Sequence, residues 1–376
     1  MKQKTFLAVA CTALLAFTSC NEKNEPVQTA QRWSVEKANE WYESKPWMAG
    51  TDYIPANAIN QIEMWYKDTY SPDLIDKELG WAEELGFNSM RVFLSSVVYE
   101  NDPEGMKERI DNFLAICQKH GITPLLCIFD DCWNAESEYG PQPAPKPGIH
   151  NSGWLRDPSD SARKDTVTLY PKMEKYVKDL LTTFGQDERI LLWDLWNEPG
   201  NSGYSCTTLP ALKKVFQWAR EANPSQPLTA GLWNMSEDFA PLNAFQIENS
   251  DVISYHNYSP LNDHTTMVNY LQILNRPLFC TEYMARTAGS LFKDIMPLLK
   301  EKKIGAYNWG FVSGKTNTIF AWSTPLPDQA EPEVWFHDII RQDGTPFDQA
   351  EVDTIKALTG KEFAPKFTHI YETQLF

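Results

Sequence analysis

The sequence predicts a (β/α)8 barrel, an α/β fold of one domain with long loops on the C-terminal face of its sheet. Three observations predict it. Eight short apolar runs recur, at 47–54, 88–94, 123–129, 190–196, 227–233, 252–258, 277–283 and 305–311. Apolar runs of this length suit parallel strands that are covered on both faces. Amphipathic stretches separate most of them, and strands alternating with helices build a parallel sheet with its helices outside. The first run is followed by Ile54-Pro55-Ala56-Asn57, not by the glycine-rich phosphate loop that a doubly wound sheet normally carries there.

The elements follow in order. After the first run comes a helix over 73–85, with Leu74, Leu79, Ala82 and Leu85 on one face and Ser71-Pro72 at its start. The second run contains Arg91. The helix after it, 107–120, is stopped by Gly121. The third run opens into a Pro-rich connection, 130–165, that holds Trp133 and Trp154. A helix over 170–184 closes at Gly185. The fourth run ends in Trp196-Asn197-Glu198-Pro199, and Pro199 fixes the end of pairing because it cannot continue a central strand. The stretch Leu209–Ala222 is helical and stops before Pro224. The fifth and sixth runs follow, and the seventh ends in Thr281-Glu282-Tyr283. A helix over 291–303 leads into the eighth run, and the loop 312–333, with Trp322 and several prolines, follows it. Both long loops come after strands. In a barrel they lie on the C-terminal face, where barrel enzymes carry their chemistry.

Composition narrows the function. The 50 acidic residues outnumber the 34 basic ones, giving a formal net charge of −16. Nucleic-acid binding rests on Lys/Arg neutralisation of phosphates, so the balance argues against it. It fits a neutral polysaccharide better than an anionic one. Aromatics reach 13%, and Trp133, Trp154, Trp196, Trp309 and Trp322 all fall at or beyond strand ends, where flat apolar faces suit sugar rings.

The N-terminus has a basic start (Lys2, Lys4), an apolar run from Thr5 to Phe17 and small residues before Cys20. That pattern is expected of a secretory signal; the run is too short to span a bilayer. Thr18-Ser19-Cys20 resembles a bacterial lipoprotein processing site, although Phe17 stands where that pattern has Leu. The division expected is 1–19 as lipoprotein signal peptide, 20–32 as polar tether and 33–376 as catalytic barrel. The resemblance implies lipidation of Cys20 and a place in the bacterial cell envelope, in the outer membrane or periplasm, with the anchor as the sole membrane contact. Cys117, Cys127, Cys132, Cys206 and Cys280 remain. They are odd in number and lack CxxC spacing, so neither a disulfide framework nor a zinc site is expected.

The chemistry concentrates at two strand ends. Glu198 and Glu282 are distant in sequence but would meet across the barrel mouth. Two carboxylates there suit glycoside hydrolysis, one protonated to donate to the leaving oxygen and one ionised to attack the anomeric carbon. The chain resembles the retaining glycoside hydrolases of clan A, most closely family 5, the cellulase and mannanase group. Arg91 matches the second-strand arginine that supports the nucleophile, and Asn197-Glu198 match the Asn-Glu pair with Glu198 as acid/base. His256 and Tyr258 match the sixth-strand His-x-Tyr, Glu282 the nucleophile and Trp309 the eighth-strand sugar-stacking Trp. The resemblance implies a double displacement on a poly- or oligosaccharide, most readily at β-linkages. Arg91, Asn197, His256, Tyr258 and Trp309 are taken as the substrate-binding set around the pair. Arg91 is expected to hold Glu282 at a low pKa, and burial beside Glu282 to raise that of Glu198.

The family often has a His after the third strand, and here Asp130-Asp131-Cys132-Trp133 stands instead. Asp130, Asp131 and Trp133 are added as candidate substrate contacts. No metal or cofactor is expected, because the histidines are scattered and no HExxH, P-loop or EF-hand pattern occurs. No heptad run points to assembly, so a monomer is expected. A non-catalytic glycan-binding protein on a hydrolase scaffold and a transglycosylase are the alternatives.

Overall fold

The structure, a computed structural model, describes residues 31–360. The expected signal peptide, Cys20 and all but the last two residues of the expected tether lie outside the described residues. All eight expected strands are present, each inside its apolar run: β1 (Ala49–Asp52), β2 (Ser89–Phe93), β3 (Leu125–Cys127), β4 (Leu192–Asp194), β5 (Leu228–Thr229), β6 (Ile253–His256), β7 (Leu278–Tyr283) and β8 (Gly305–Asn308). They pair in parallel in the order β5-β4-β3-β2-β1-β8-β7-β6. A parallel bridge between Leu232 and Tyr255 closes the ring, with His256 N donating to Leu232 O at 2.8 Å. The architecture is a (β/α)8 barrel.

The ladders are shorter than the apolar runs, two residues in β5 and six in β7. Residues beyond each ladder stay buried under the outer helices, as Leu94, Phe129, Leu195 and Trp196 do. The expected helices are found at Pro72–Glu84, Pro103–Lys119, Thr166–Phe184, Leu209–Ala222 and Phe292–Glu301. Asp102 and Asp165 cap two of them by accepting from Gly105 N and Thr168 N. Helices Ala240–Asn249 and Leu261–Gln272 complete the outer ring between β5, β6 and β7. Among the described residues no helix is long and apolar enough to cross a membrane.

A helix not expected from sequence, Val35–Glu43, plugs the N-terminal end of the barrel. Its Tyr42 ring lies 5.0 Å from that of Phe279 and seals an apolar layer that includes Leu125, Leu192 and Tyr307. Arg32, assigned to the tether by sequence, is already fixed to this end, donating to Ser250 O at 2.8 Å and Ile247 O at 2.6 Å just before β6. The interior layer nearer the mouth is charged, and it carries the site.

Candidate active site

The charged layer is built around Arg91 in β2. Pairing sets Arg91 beside Asp52 of β1, and every nitrogen of its fully buried guanidinium finds a partner. Nε donates to Asp194 Oδ2 at 2.9 Å, and Nη1 donates to Asp52 Oδ1 at 2.8 Å and Glu282 Oε1 at 3.0 Å. Nη2 donates to Asn197 Oδ1 at 2.6 Å and lies 2.8 Å from Asp194 Oδ2. One cation therefore serves three buried carboxylates. Burial pushes Asp52 well above the ordinary carboxylate range and raises Asp194 as well, against the pull of Arg91.

Glu282 reaches the mouth through a bulge. Tyr255 pairs with Cys280, but the next residue, His256, pairs with Glu282, so Thr281 is an extra residue in β7. Such a bulge re-aims the side chains that follow it. Tyr258 donates to Glu282 Oε2 at 2.7 Å. Glu198 stands opposite, just past β4, with a left-handed φ of 42°. Non-glycine residues adopt that conformation at a cost, and it recurs at active sites. It is over-determined here: Asn197 N donates to Phe129 O at 2.8 Å and Gly200 N donates to Asp131 Oδ2 at 2.7 Å.

His256 lies between the two acids, its Nδ1 2.8 Å from Glu198 Oε1 and 3.4 Å from Glu282 Oε2. Burial lowers its pKa to about 4, so the shorter contact is a hydrogen bond of a neutral imidazole to Glu198. Gly231 leaves room for the ring, since a Cβ there would sit 3.2 Å from its Nε2. Cys132 donates its thiol to Glu198 Oε2 at 3.1 Å, and Asn201 Nδ2 donates to the same oxygen. Burial raises the pKa of Glu198, opposed by these two donors and by Arg91. Burial also raises Glu282, opposed by His256, Arg91 and Tyr258. One ligand-type atom each from Glu198, His256 and Glu282 lies within 4.8 Å of the others. This is the one cluster among the described residues with metal-ligand chemistry, but Arg91 and Tyr258 already donate to both oxygens of Glu282.

The pair opens into a cavity of about 680 Å³. Trp309 and Trp154, ring centroids 5.4 Å apart, form an apolar side with Phe93 behind them. The half-exposed Trp133 and Trp322 stand at the rim. A buried, mostly apolar recess with a few convergent polar groups is the form of a small-molecule site.

The sequence matches the cellulase model of glycosyl hydrolase family 5 over residues 50–314. The chain belongs to glycosyl hydrolase family 5. This family 5 chain is a glycosidase. No curated protein matches it in sequence. Among solved structures it is similar to an exo-β-1,4-mannosidase from Opitutaceae bacterium strain TAV5, at 18% identity and TM-score 0.57 over 84% of this chain. It spans 60% of that protein's length. An endo-β-1,4-mannanase from Thermotoga petrophila gives 16% identity and TM-score 0.54 over 85% of this chain and 77% of the other. The β-mannanase of the blue mussel Mytilus edulis gives 14% and 0.51 over 85% and 92%. At these identities the likeness is one of fold.

The family 5 site gathers Glu198, Glu282, Asn197, His256, Tyr258, Trp309 and Trp133 around one cavity. Three expected substrate contacts lie elsewhere. Arg91 is sealed beneath the two acids with each of its three nitrogens bonded to a neighbour. Asp130 is buried, accepting from Asn197 Nδ2 at 2.8 Å and Trp154 Nε1 at 2.7 Å. Asp131 accepts from Trp196 Nε1 at 2.9 Å, Gly200 N at 2.7 Å and Thr208 Oγ1 at 2.6 Å. These three hold residues that line the cavity or flank them. The expected low pKa of Glu282 is also corrected, because Arg91 divides its charge among three carboxylates and burial prevails.

Sequence reasoning missed Cys132 and Asn201 beside Glu198, His150 in the cavity wall and Asp52 and Asp194 beside Arg91. The last two had a signal: each is a lone carboxylate inside an apolar run. His150 had none, since it sits mid-loop.

Proposed function

We propose that this enzyme is a retaining glycosidase that cleaves β-linkages of oligo- or polysaccharide by double displacement, with Glu282 as nucleophile and Glu198 as acid/base. One observation carries the reading. One oxygen of Glu198 and one of Glu282 lie within 4.8 Å of each other, an approach that favours the roughly 5–5.5 Å carboxyl separation of retaining enzymes over the roughly 6.5–9.5 Å that leaves room for an intervening water. Glu282 has two donors that favour its ionised form, Arg91 and Tyr258. Glu198 has only neutral partners, the Cys132 thiol, the Asn201 amide and the His256 imidazole, with no cation bonded to it, and is the better proton holder.

In the first step Glu282 attacks the anomeric carbon while Glu198 gives its proton to the departing oxygen. Glycosylation removes the charge of Glu282, so the pKa of Glu198 falls and it takes a proton from the attacking water. Trp309 offers its face to the sugar ring. β-Mannosides come first among substrates to test, since the similar solved structures are described as a mannosidase and mannanases, with β-glucosides second. Proton NMR of the first-formed sugar is the test. Product of the same anomeric configuration as the substrate supports the reading, as does loss of turnover in Glu282→Gln. An inverted first product, or a Glu282→Gln variant as active as wild type, refutes it.

The leader and Cys20 support a lipid-anchored place in the bacterial envelope. Arg32 meets the barrel at the N-terminal end of β6, opposite the cavity, so a tether there would leave the mouth facing away from the membrane. Radiolabelled palmitate incorporation, lost in Cys20→Ser, tests the anchor.

A further inference from the structure

We infer that the cavity takes one sugar on the glycone side, so that the enzyme is exo-acting and removes single residues from non-reducing ends. This rests on the assignment of Glu198 and Glu282 above and adds the form of substrate the site admits. The argument comes from two loops that lie apart in sequence and join over the mouth. Asn151 N donates to Thr316 O at 2.8 Å, Leu326 N to Gly148 O at 3.0 Å and Asn317 Nδ2 to Lys146 O at 2.9 Å. The buried His150 adds a contact between its Nδ1 and Phe320 O at 2.8 Å. Gly148 permits the closest approach, because it has φ 64° and a Cβ there would lie 2.0 Å from Leu326 O. The loops after β3 and β8 thus form one hydrogen-bonded wall.

The wall presents aromatic rings in sequence. Trp133 lies 5.4 Å from His150, His150 6.4 Å from Trp322, and Trp322 4.8 Å from Tyr258, which touches Glu282. The arc runs from the β3 loop past the ends of β8 and β7 to that of β6. The opposite side, past β4, β5 and β6, is lined by Asn201, Ser202, Trp233 and Ser259, of which Trp233 alone is aromatic. Glu198 stands on that side. A proton donor must face the leaving group, so the leaving group takes that side and the glycone lies against the arc. A second glycone sugar would have to pass through rings held by bonds between loops. A free chain end fits and an internal position does not.

Mannopentaose and cellopentaose labelled at the reducing end test this, with products followed in time by mass spectrometry. The inference predicts labelled tetrasaccharide first, then labelled trisaccharide, with free monosaccharide as the unlabelled product throughout. It also predicts at least 100-fold slower cleavage of the pentasaccharide when its non-reducing sugar carries a 4-O-methyl cap. Early short labelled products with unlabelled oligosaccharides, or a capped chain cut at the uncapped rate, would overturn it. Aryl β-mannoside and β-glucoside assays run alongside separate the two claims. Internal cleavage that is lost in Glu282→Gln overturns the exo inference and leaves the catalytic assignment standing. No cleavage of any glycoside overturns both.

Discussion

Replacing Arg91 by Met tests the charged layer under the site. Met keeps much of the volume and removes the one cation that serves Asp52, Asp194 and Glu282. All three carboxylates are buried, with side chains at most 7% exposed; Arg91 takes Asp52 Oδ1 and Asp194 Oδ2, and the second oxygen of each, Asp52 Oδ2 and Asp194 Oδ1, has no hydrogen-bond partner among the described residues. Breaking a buried ion pair from one side costs about 3–5 kcal/mol, and three acids lose their cation here, so the upper end is expected at pH 7.5. The penalty should depend on pH. Burial already lifts these carboxyls in the folded protein, and losing Arg91 lifts them further. The folded variant then binds more protons than its unfolded chain, so its stability falls as pH rises from the unfolded value of about 4 towards the raised pKa values. Urea unfolding followed by tryptophan fluorescence should give a larger loss relative to wild type at pH 7.5 than at pH 5.5. Arg91→Lys should recover part of it, since an ammonium keeps the charge without the five-donor fork. A Met variant within 1 kcal/mol of wild type, or an equal loss at both pH values, would refute the reasoning.

Three further outcomes follow from single contacts. Tyr258→Phe removes a donor to Glu282, a contact of about 1.5–3 kcal/mol, so kcat/KM should fall roughly 10- to 100-fold. Glu282 must be ionised and its pKa rises without that donor, so the acid limb of the pH profile should move up; an unmoved limb contradicts the role. Cys132→Ala removes a donor that favours ionised Glu198. The acid/base must start protonated and its pKa rises, so the alkaline limb should move to higher pH, while Cys132→Ser leaves it nearer wild type. Asp131→Ala strips the acceptor from Trp196 Nε1, Gly200 N and Thr208 Oγ1. Each buried donor left alone costs about 1–3 kcal/mol, and a urea midpoint unchanged from wild type would show that Asp131 anchors nothing.

The strands were legible because a parallel barrel strand is covered on both sides and writes an unbroken apolar run. Their short ladders were not, because Leu94 or Trp196 is buried whether or not it pairs. The helix Val35–Glu43 escaped notice because its apolar positions are few and its burial depends on the barrel end it plugs. In the site, strand-end positions sufficed to bring Glu198 and Glu282 together, since strand ends converge at one mouth. Loop residues behaved differently. Asp130 and Asp131 look like sugar ligands in sequence, yet Trp154, Asn197 and Gly200 take their oxygens. The wall through His150 and Trp322 joins two loops whose contact only the folded chain sets.

The central claim is that Glu282 bonds to the sugar while Glu198 handles the proton. Incubation with 2-deoxy-2-fluoro-β-mannoside and β-glucoside carrying activated leaving groups, then peptide mass spectrometry, tests it most directly. The account predicts one fluoroglycosyl adduct per chain on the peptide holding Thr281-Glu282-Tyr283, and none in Glu282→Gln. An adduct on Glu198 or another residue, or inactivation that survives Glu282→Gln, would contradict it.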